Sequence, residues 1–306
     1  MTVPTPVAPD ERYDYSPITT RLDAVWPEGK KLAVYIAIGL ESYTFGTGMT
    51  ENLMEGVAAP DLVNTSWRDY GNRVGGFRLL QRLEQFGIPS TVLLNTAVYD
   101  AAPELLAEAR RLGSEIIGHG ISNSDSLSGM TEQDELAYLD AVAARISVEE
   151  GAAPRGWSSP WLTHTERTID LLGEAGYEYL LDLRLDDRPV WLNTREAPLL
   201  ALPYALELND STTIIGRGAS ASEFADMIID EFDELLEAAG EQRLVMSIVV
   251  HSFISGVPFR LKQLSRALEH LTNHRADVWF AQPRDIHEAM TAQSAQLLPQ
   301  AVDDVR

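Results

Sequence analysis

The chain has no cysteine in its 306 residues. Disulfide frameworks, thiolate metal sites and cysteine nucleophiles are therefore excluded. Basic residues are scarce: 24 Lys and Arg stand against 46 Asp and Glu, a net charge of −22. Such a surface repels phosphate backbones and anionic lipid, so neither nucleic acid nor a membrane is an expected partner. No apolar run approaches the roughly 18 residues of a membrane span. The opening MTVPTPVAPDERYDYSP lacks the basic start and apolar stretch of a secretory signal. A cytoplasmic protein is expected. No phosphate-binding glycine loop follows a strand, which weighs against the main rival fold, a doubly wound open sheet. GWSSP ends in Pro160 and is no nucleophile elbow. The acid-rich DEFDELLE reads as a solvated helix face.

What is present is a repeated pattern. Apolar, β-branched runs near 32–39, 91–94, 114–118, 155–157, 178–181, 199–202, 244–250 and 277–281 read as strands. Helical periodicities lie between most of them. FRLLQRLEQFG, PELLAEARRLG and ERTIDLLGEAG each close on a glycine, at Gly87, Gly113 and Gly176. TEQDELAYLDAVAARI opens with Thr131 and Asp134, as a capping box does. ASEFADMIIDEFDELLEAAG and PFRLKQLSRALEHL are longer amphipathic helices. Strands alternating with helices predict an α/β fold, a barrel or a barrel-like variant. Residues 1–28 read as an extended arm, 29–291 as the barrel and 292–306 as a fraying tail. A long Gly/Asn/Thr-rich insertion at 43–69 follows the first strand, where it would cover a barrel mouth.

Several runs end in a residue able to do chemistry: Glu41, Asn95, His119, Asp182 and His251. A parallel barrel displays its reactive groups at these strand ends. In an apolar setting Glu41 is expected to have a raised pKa, suited to a general base or acid. His119, between Gly118 and Gly120, and His251, after the strongest strand, are candidates for proton transfer or for polarising a carbonyl. His164 could line the mouth. His270, His274 and His287 read as surface positions on or beside late helices.

SWRDYGNRVGGFRLLQRLEQFGIPSTVLLN, GWSSP, DDRP and LPYALELND resemble the polysaccharide deacetylase superfamily, and within it the branch of metal-independent allantoinases and related cyclic amide hydrolases. The resemblance covers about residues 25–290. It implies a single-domain irregular (β/α) barrel with seven or eight parallel strands, hydrolysis of a non-peptide C–N bond, and a homo-oligomer. Metal-dependent members carry T-F-D-D after the first strand. Here Glu41 falls on the base position and Ser42 on the ligand position. They also carry two histidines four apart; here the stretch is His119-Gly-Ile-Ser-Asn123. One of three expected ligands remains. Transition-metal sites need three or more strong ligands, so no cofactor is expected; a divalent metal such as zinc, recruited by Glu41, His119 and His251, is the alternative.

The same resemblance nominates Trp157, Ser158 and Ser159, with Arg155, as a site wall in which a buried Arg155 could orient the base. Arg68, Tyr70 and Arg73 of WRDYGNR could meet substrate carbonyls or cap the loop. Tyr204, Glu207 and Asn209 of LPYALELND could reach substrate. Ser42, Asn123 and Asp182 are supporting, while Asp186 and Asp187 mix scaffold and support. The leading expectation is hydrolysis of a small cyclic amide, imide or ureide, with Glu41 activating water. The alternatives are metal-dependent N-deacetylation of a sugar-like substrate, and an inactive barrel that binds a metabolite or sugar.

Overall fold

The computed structural model describes residues 5–21, 24–240 and 242–297. Its strands are β1 (Leu32–Leu40), β2 (Ser90–Leu94), β3 (Glu115–Gly118), β4 (Gly156–Trp157), β5 (Tyr179–Leu180), β6 (Val190–Leu192), β7 (Leu199–Ala201), β8 (Leu244–His251) and β9 (Val278–Phe280). Its helices are α1 (Leu62–Tyr70), α2 (Gly76–Gln85), α3 (Val98–Ala101), α4 (Pro103–Arg111), α5 (Glu132–Glu150), α6 (Thr168–Glu174), α7 (Ala221–Ala239), α8 (Pro258–Thr272) and α9 (Pro283–Leu297). All eight expected strand runs are present. β6 was not expected: three residues between a proline and an asparagine leave no period to read.

Strand order is β6-β7-β5-β4-β3-β2-β1-β8, with β9 pairing the first residues of β1. From β1 to β5 each strand lies beside its sequence neighbour. That is the singly wound order of a barrel, not the reversal of a doubly wound sheet. Every pairing is parallel except β6–β7. The sheet curls, but among the described residues no strand ladder joins β8 to the other edge. Loops cover that gap: Val245 N–H donates to Asp187 O and Val249 N–H to Leu208 O. The barrel is irregular at this seam.

β1 shows how the sequence builds two layers. All nine of its residues are buried, as a strand covered on both faces requires. Leu32, Val34, Ile36, Ile38 and Leu40 pack outward under the helices. Ala33, Tyr35 and Ala37 point into the barrel beside Leu93, Ile117, Tyr179 and Val249. The split follows the two-residue period of a strand.

The helices predicted to close at Gly87, Gly113 and Gly176 stop at Gln85, Arg111 and Glu174. Thr131 caps α5 through Asp134 N–H, but Asp134 bonds the Thr131 hydroxyl, so the reciprocal half of the capping box is missing. A complete box, Ser220 with Glu223, opens α7.

The N-terminal arm is fastened down. Arg12 forms a buried ion pair with Asp170 at 2.8 Å, and Trp26 Nε1 donates to Leu244 O at 2.8 Å. At the other end α9 continues past Ala292 to Leu297, where a fraying tail was expected; residues 298–306 lie outside the described residues. The insertion after β1 folds back over the rim and contributes α1. Its Met49 N–H donates to Ser124 O and its Thr44 N–H to Ser124 Oγ.

Candidate active site

Parallel register brings the ends of β1, β2, β3 and β8 together. Gly39 of β1 stands opposite His251 of β8. A side chain on Gly39 would put its Cβ 2.8 Å from the His251 ring and 3.3 Å from Glu41 Oε1, so this strand glycine makes the room. Glu41 Oε1 lies 3.3 Å from His251 Nε2 and 3.6 Å from His119 Nε2. All three side chains are buried. The spatial convergence read from the strand ends is present.

The outer nitrogens of both imidazoles are fixed. His119 Nδ1 donates to Ser158 O at 2.7 Å. Because a carbonyl only accepts, His119 carries a proton on Nδ1, and its Nε2 faces Glu41. His251 Nδ1 donates to Asp210 Oδ1 at 2.6 Å. Asp210 also accepts from His251 N–H, Ser255 N–H and Ser255 Oγ. His251 therefore stands between two carboxylates. Burial disfavours its charged form, but Glu41 and Asp210 outweigh burial and hold its pKa well above the ordinary histidine value.

Glu41 departs from expectation. Burial alone would raise its pKa; the facing His251 and His119 outweigh this and hold it well below the usual carboxylate range. An apolar strand signals the burial but not the imidazoles that reverse its effect. The other oxygen, Oε2, accepts from Tyr43 OH at 2.7 Å, and Asn123 Nδ2 donates to Tyr43 OH at 2.8 Å. Asn123 therefore joins a hydrogen-bond chain to the carboxylate. Asn72 Nδ2 donates to Glu41 O at 2.7 Å. Asn95 links two strand ends: its Oδ1 accepts from Ser42 N–H at 3.0 Å, and its amide donates to His119 O.

The insertion supplies another acid. Glu51 accepts from Ser211 Oγ at 2.8 Å, next to Asp210. Burial raises its pKa, partly offset by His251. Two amide oxygens beside Glu41, Asn72 Oδ1 and Asn123 Oδ1, are buried without a hydrogen-bond partner. Phe253 forms the apolar side, packed edge-on to Tyr43 and Trp67 and beside His251.

The remaining nominated residues divide. Ser158 offers its carbonyl to His119 and its hydroxyl to Asp182. Asp182 also accepts from Ser159 N–H and His164 Nε2, bracing the wall behind His119. Trp157 is wholly buried against Tyr177, with its Nε1 bonded to Ser159, so it packs the core and does not face the cluster. Arg155 lies before β4, at the opposite end of the barrel, paired with Glu178 and Glu288; it cannot orient Glu41. Arg68 braces the insertion: its guanidinium bonds Glu51 O, Asn52 and Thr65 and stacks on Tyr43. Tyr70 pairs with Arg78, and Arg73 is exposed. Tyr204 and Asn209 bond each other in the interior, while Glu207 is exposed. Asp186 pairs with Arg21 and Asp187 with Arg184. His287 is buried between Tyr179 and Trp191, not on the surface.

Sequence reasoning missed Asp210, Tyr43, Asn72 and Glu51 as site members. Asp210 had a signal, as the acid closing LPYALELND, and so did Asn72, inside WRDYGNR. Glu51 is one acid among 46 in the chain.

Ser42 and Asn123 offer neutral oxygen or amide groups where strong ligands are needed. Among the described residues, the group whose ligand atoms all lie within 4.8 Å of one another does not include Glu41, His119 or His251.

A curled, mostly parallel sheet carrying a carboxylate and imidazoles at its strand ends defines a deacetylase-like fold. Residues 69–180 match the polysaccharide deacetylase family model. A Schizosaccharomyces pombe protein assigned to the polysaccharide deacetylases is 25% identical over 297 residues, covering 87% of this chain and 92% of the relative. A peptidoglycan deacetylase of Helicobacter pylori is 22% identical, covering 69% of this chain and 82% of its own. Among solved structures, the PuuE allantoinase superposes with a TM-score of 0.79 at 24% identity, covering 90% of this chain and 95% of that one. A Mycobacterium smegmatis structure assigned to the polysaccharide deacetylases gives 0.77 at 25% identity, with the same coverage. No helix among the described residues is long and apolar enough to cross a membrane.

Proposed function

We propose that the chain hydrolyses the C–N bond of a small cyclic amide, imide or ureide, without a metal at the Glu41 rim. The observation that carries this reading is the arrangement around Glu41: a carboxylate held ionised between two imidazoles, His119 anchored on Ser158 O and His251 on Asp210. Glu41 Oε1 accepts a hydrogen bond from one water, with His119 Nε2 and His251 Nε2 beside it. Glu41 then accepts the proton as that water attacks the carbonyl. His251, charged between Asp210 and Glu41, faces the developing oxyanion and supplies the proton for the departing nitrogen. A ring imide suits this machinery, since its carbonyl is more electrophilic and its nitrogen leaves more readily than a simple amide's. The acceptor-rich wall of Glu51, Asn72 and Asn123 favours a substrate presenting N–H groups. A small substrate of this kind is compatible with a cytoplasmic setting.

A second reading, N-deacetylation of a sugar-like substrate, is favoured by the names of the two relatives. A panel of hydantoins, imides, allantoin and N-acetyl sugars, assayed with and without chelator, separates the two. Expected is ring opening that survives chelator and falls by at least ~100-fold in Glu41→Gln, the scale of a lost general base. Release of acetate, abolished by chelator, would replace the first reading with the second. Ligand binding with no turnover across the panel would leave a binding barrel.

A further inference from the structure

A second cluster of metal-ligating side chains lies far from Glu41. His270, near the end of α8, and His274 are four residues apart. His274 N–H still bonds Leu271 O, so the helical path continues past the cap and both rings share one face. Their centroids are 5.4 Å apart. Asp233 of the neighbouring α7 reaches across, with Oδ1 2.7 Å from His270 Nε2. Buried Phe232 packs edge-on against both rings, at 5.8 and 5.5 Å, and limits their rotation. Among the described residues this is the one group whose three ligand atoms lie within 4.8 Å of one another. Four residues later β9 begins, beside the start of β1. The cluster is therefore at the base of the barrel, roughly 26 Å from the rim by β1's length at about 3.3 Å per residue.

We propose that Asp233, His270 and His274 form a surface site for a borderline transition ion such as zinc, nickel or copper, joining α7 to α8. Two imidazoles and one carboxylate suit these ions and not magnesium or calcium, which take oxygen ligands. Tetrahedral zinc holds its ligand atoms about 3.4 Å apart, so small side-chain rotations suffice. Water takes the fourth position. The ion fastens the two helices flanking β8, the strand that ends in His251. Metal bound to this protein then resides at the base, independently of what happens at the rim.

The test is titration of zinc chloride into the full chain, followed by competition with a chromophoric chelator, in parent, His270→Ala, His274→Ala, Asp233→Asn and His119→Ala proteins. One site per chain is expected. Affinity should fall at least tenfold in each base variant and stay unchanged in His119→Ala. Zinc should also raise the melting temperature of the parent but not of His270→Ala, because an ion bound to the folded state stabilises it. Cobalt(II) added to the parent should give visible absorption of a four-coordinate nitrogen/oxygen site, a readout that does not depend on any variant folding. Undetectable binding by the parent at 100-fold excess zinc, affinity unaltered in His270→Ala, or loss confined to His119→Ala would each overturn the proposal.

Discussion

His251 and Asp210 are locked together at 2.6 Å, and the same aspartate also accepts from the backbone N–H groups of His251 and Ser255. Asp210 therefore positions the imidazole and holds its charge without touching the space in front of Glu41. In Asp210→Asn the imidazole keeps a hydrogen-bonding neighbour but loses a charge. The His251 pKa should fall toward the ordinary value of about 6.5. Its raised value contributes stability that is fully present below about pH 6.5 and is lost as pH rises through the folded-state value. In the variant that loss should begin at lower pH. Turnover should fall by about 100-fold or more, with its basic-side inflection moved to lower pH. Imidazole NMR titration beside a pH–rate profile checks this; an unmoved His251 titration would show that Asp210 does not set the charge.

Tyr43 and Asn123 should act on Glu41 as one unit. Tyr43→Phe removes the donor to Oε2, and Asn123→Ala removes the group that aims the tyrosine hydroxyl. Each single change is expected to cost about 1 kcal/mol of transition-state stabilisation, the usual net value of one hydrogen bond. If the chain is a unit, the double variant should cost clearly less than the sum. Kinetics of the four proteins measure the coupling; strict additivity would separate Asn123 from the carboxylate.

Glu115 should make the fold sensitive to pH independently of the site. It is buried at the base, accepts from Tyr179 OH and Arg284 N–H, and burial pushes its pKa up to about 7. Between about pH 4.5 and 7 the folded chain retains a proton that the unfolded chain has released. Stability therefore declines as pH rises through that window, by on the order of 3 kcal/mol at most. Urea denaturation of Glu115→Gln at several pH values should show that slope flattened. An unchanged slope would mean Glu115 ionises normally.

The legible part of this chain was its period. β1, β2, β3 and β8 are long or strongly apolar, and each ends on a residue that stands out: Glu41, Asn95, His119 and His251. Side chains at strand ends are placed by the backbone, so their convergence follows once a singly wound sheet is granted. Arg155 and Trp157 failed for a related reason. β4 has two residues, and a one-residue ambiguity in so short a strand exchanges barrel interior for helix layer, or one end for the other. Glu51 and Tyr43 come from a loop whose path is set by tertiary contacts such as Thr44 with Ser124 and Arg68 with Glu51, which no local pattern encodes. The lowered pKa of Glu41 was out of reach for the same reason: it depends on its distances to His119 and His251, residues remote in the chain.

Asn95 holds the end of β1 with its oxygen and the end of β3 with its nitrogen. One amide therefore works as a gauge for the gap between Glu41 and His119. Changing the length of that single side chain is a way to widen or narrow the opening available to an attacking water while leaving every reacting atom chemically intact.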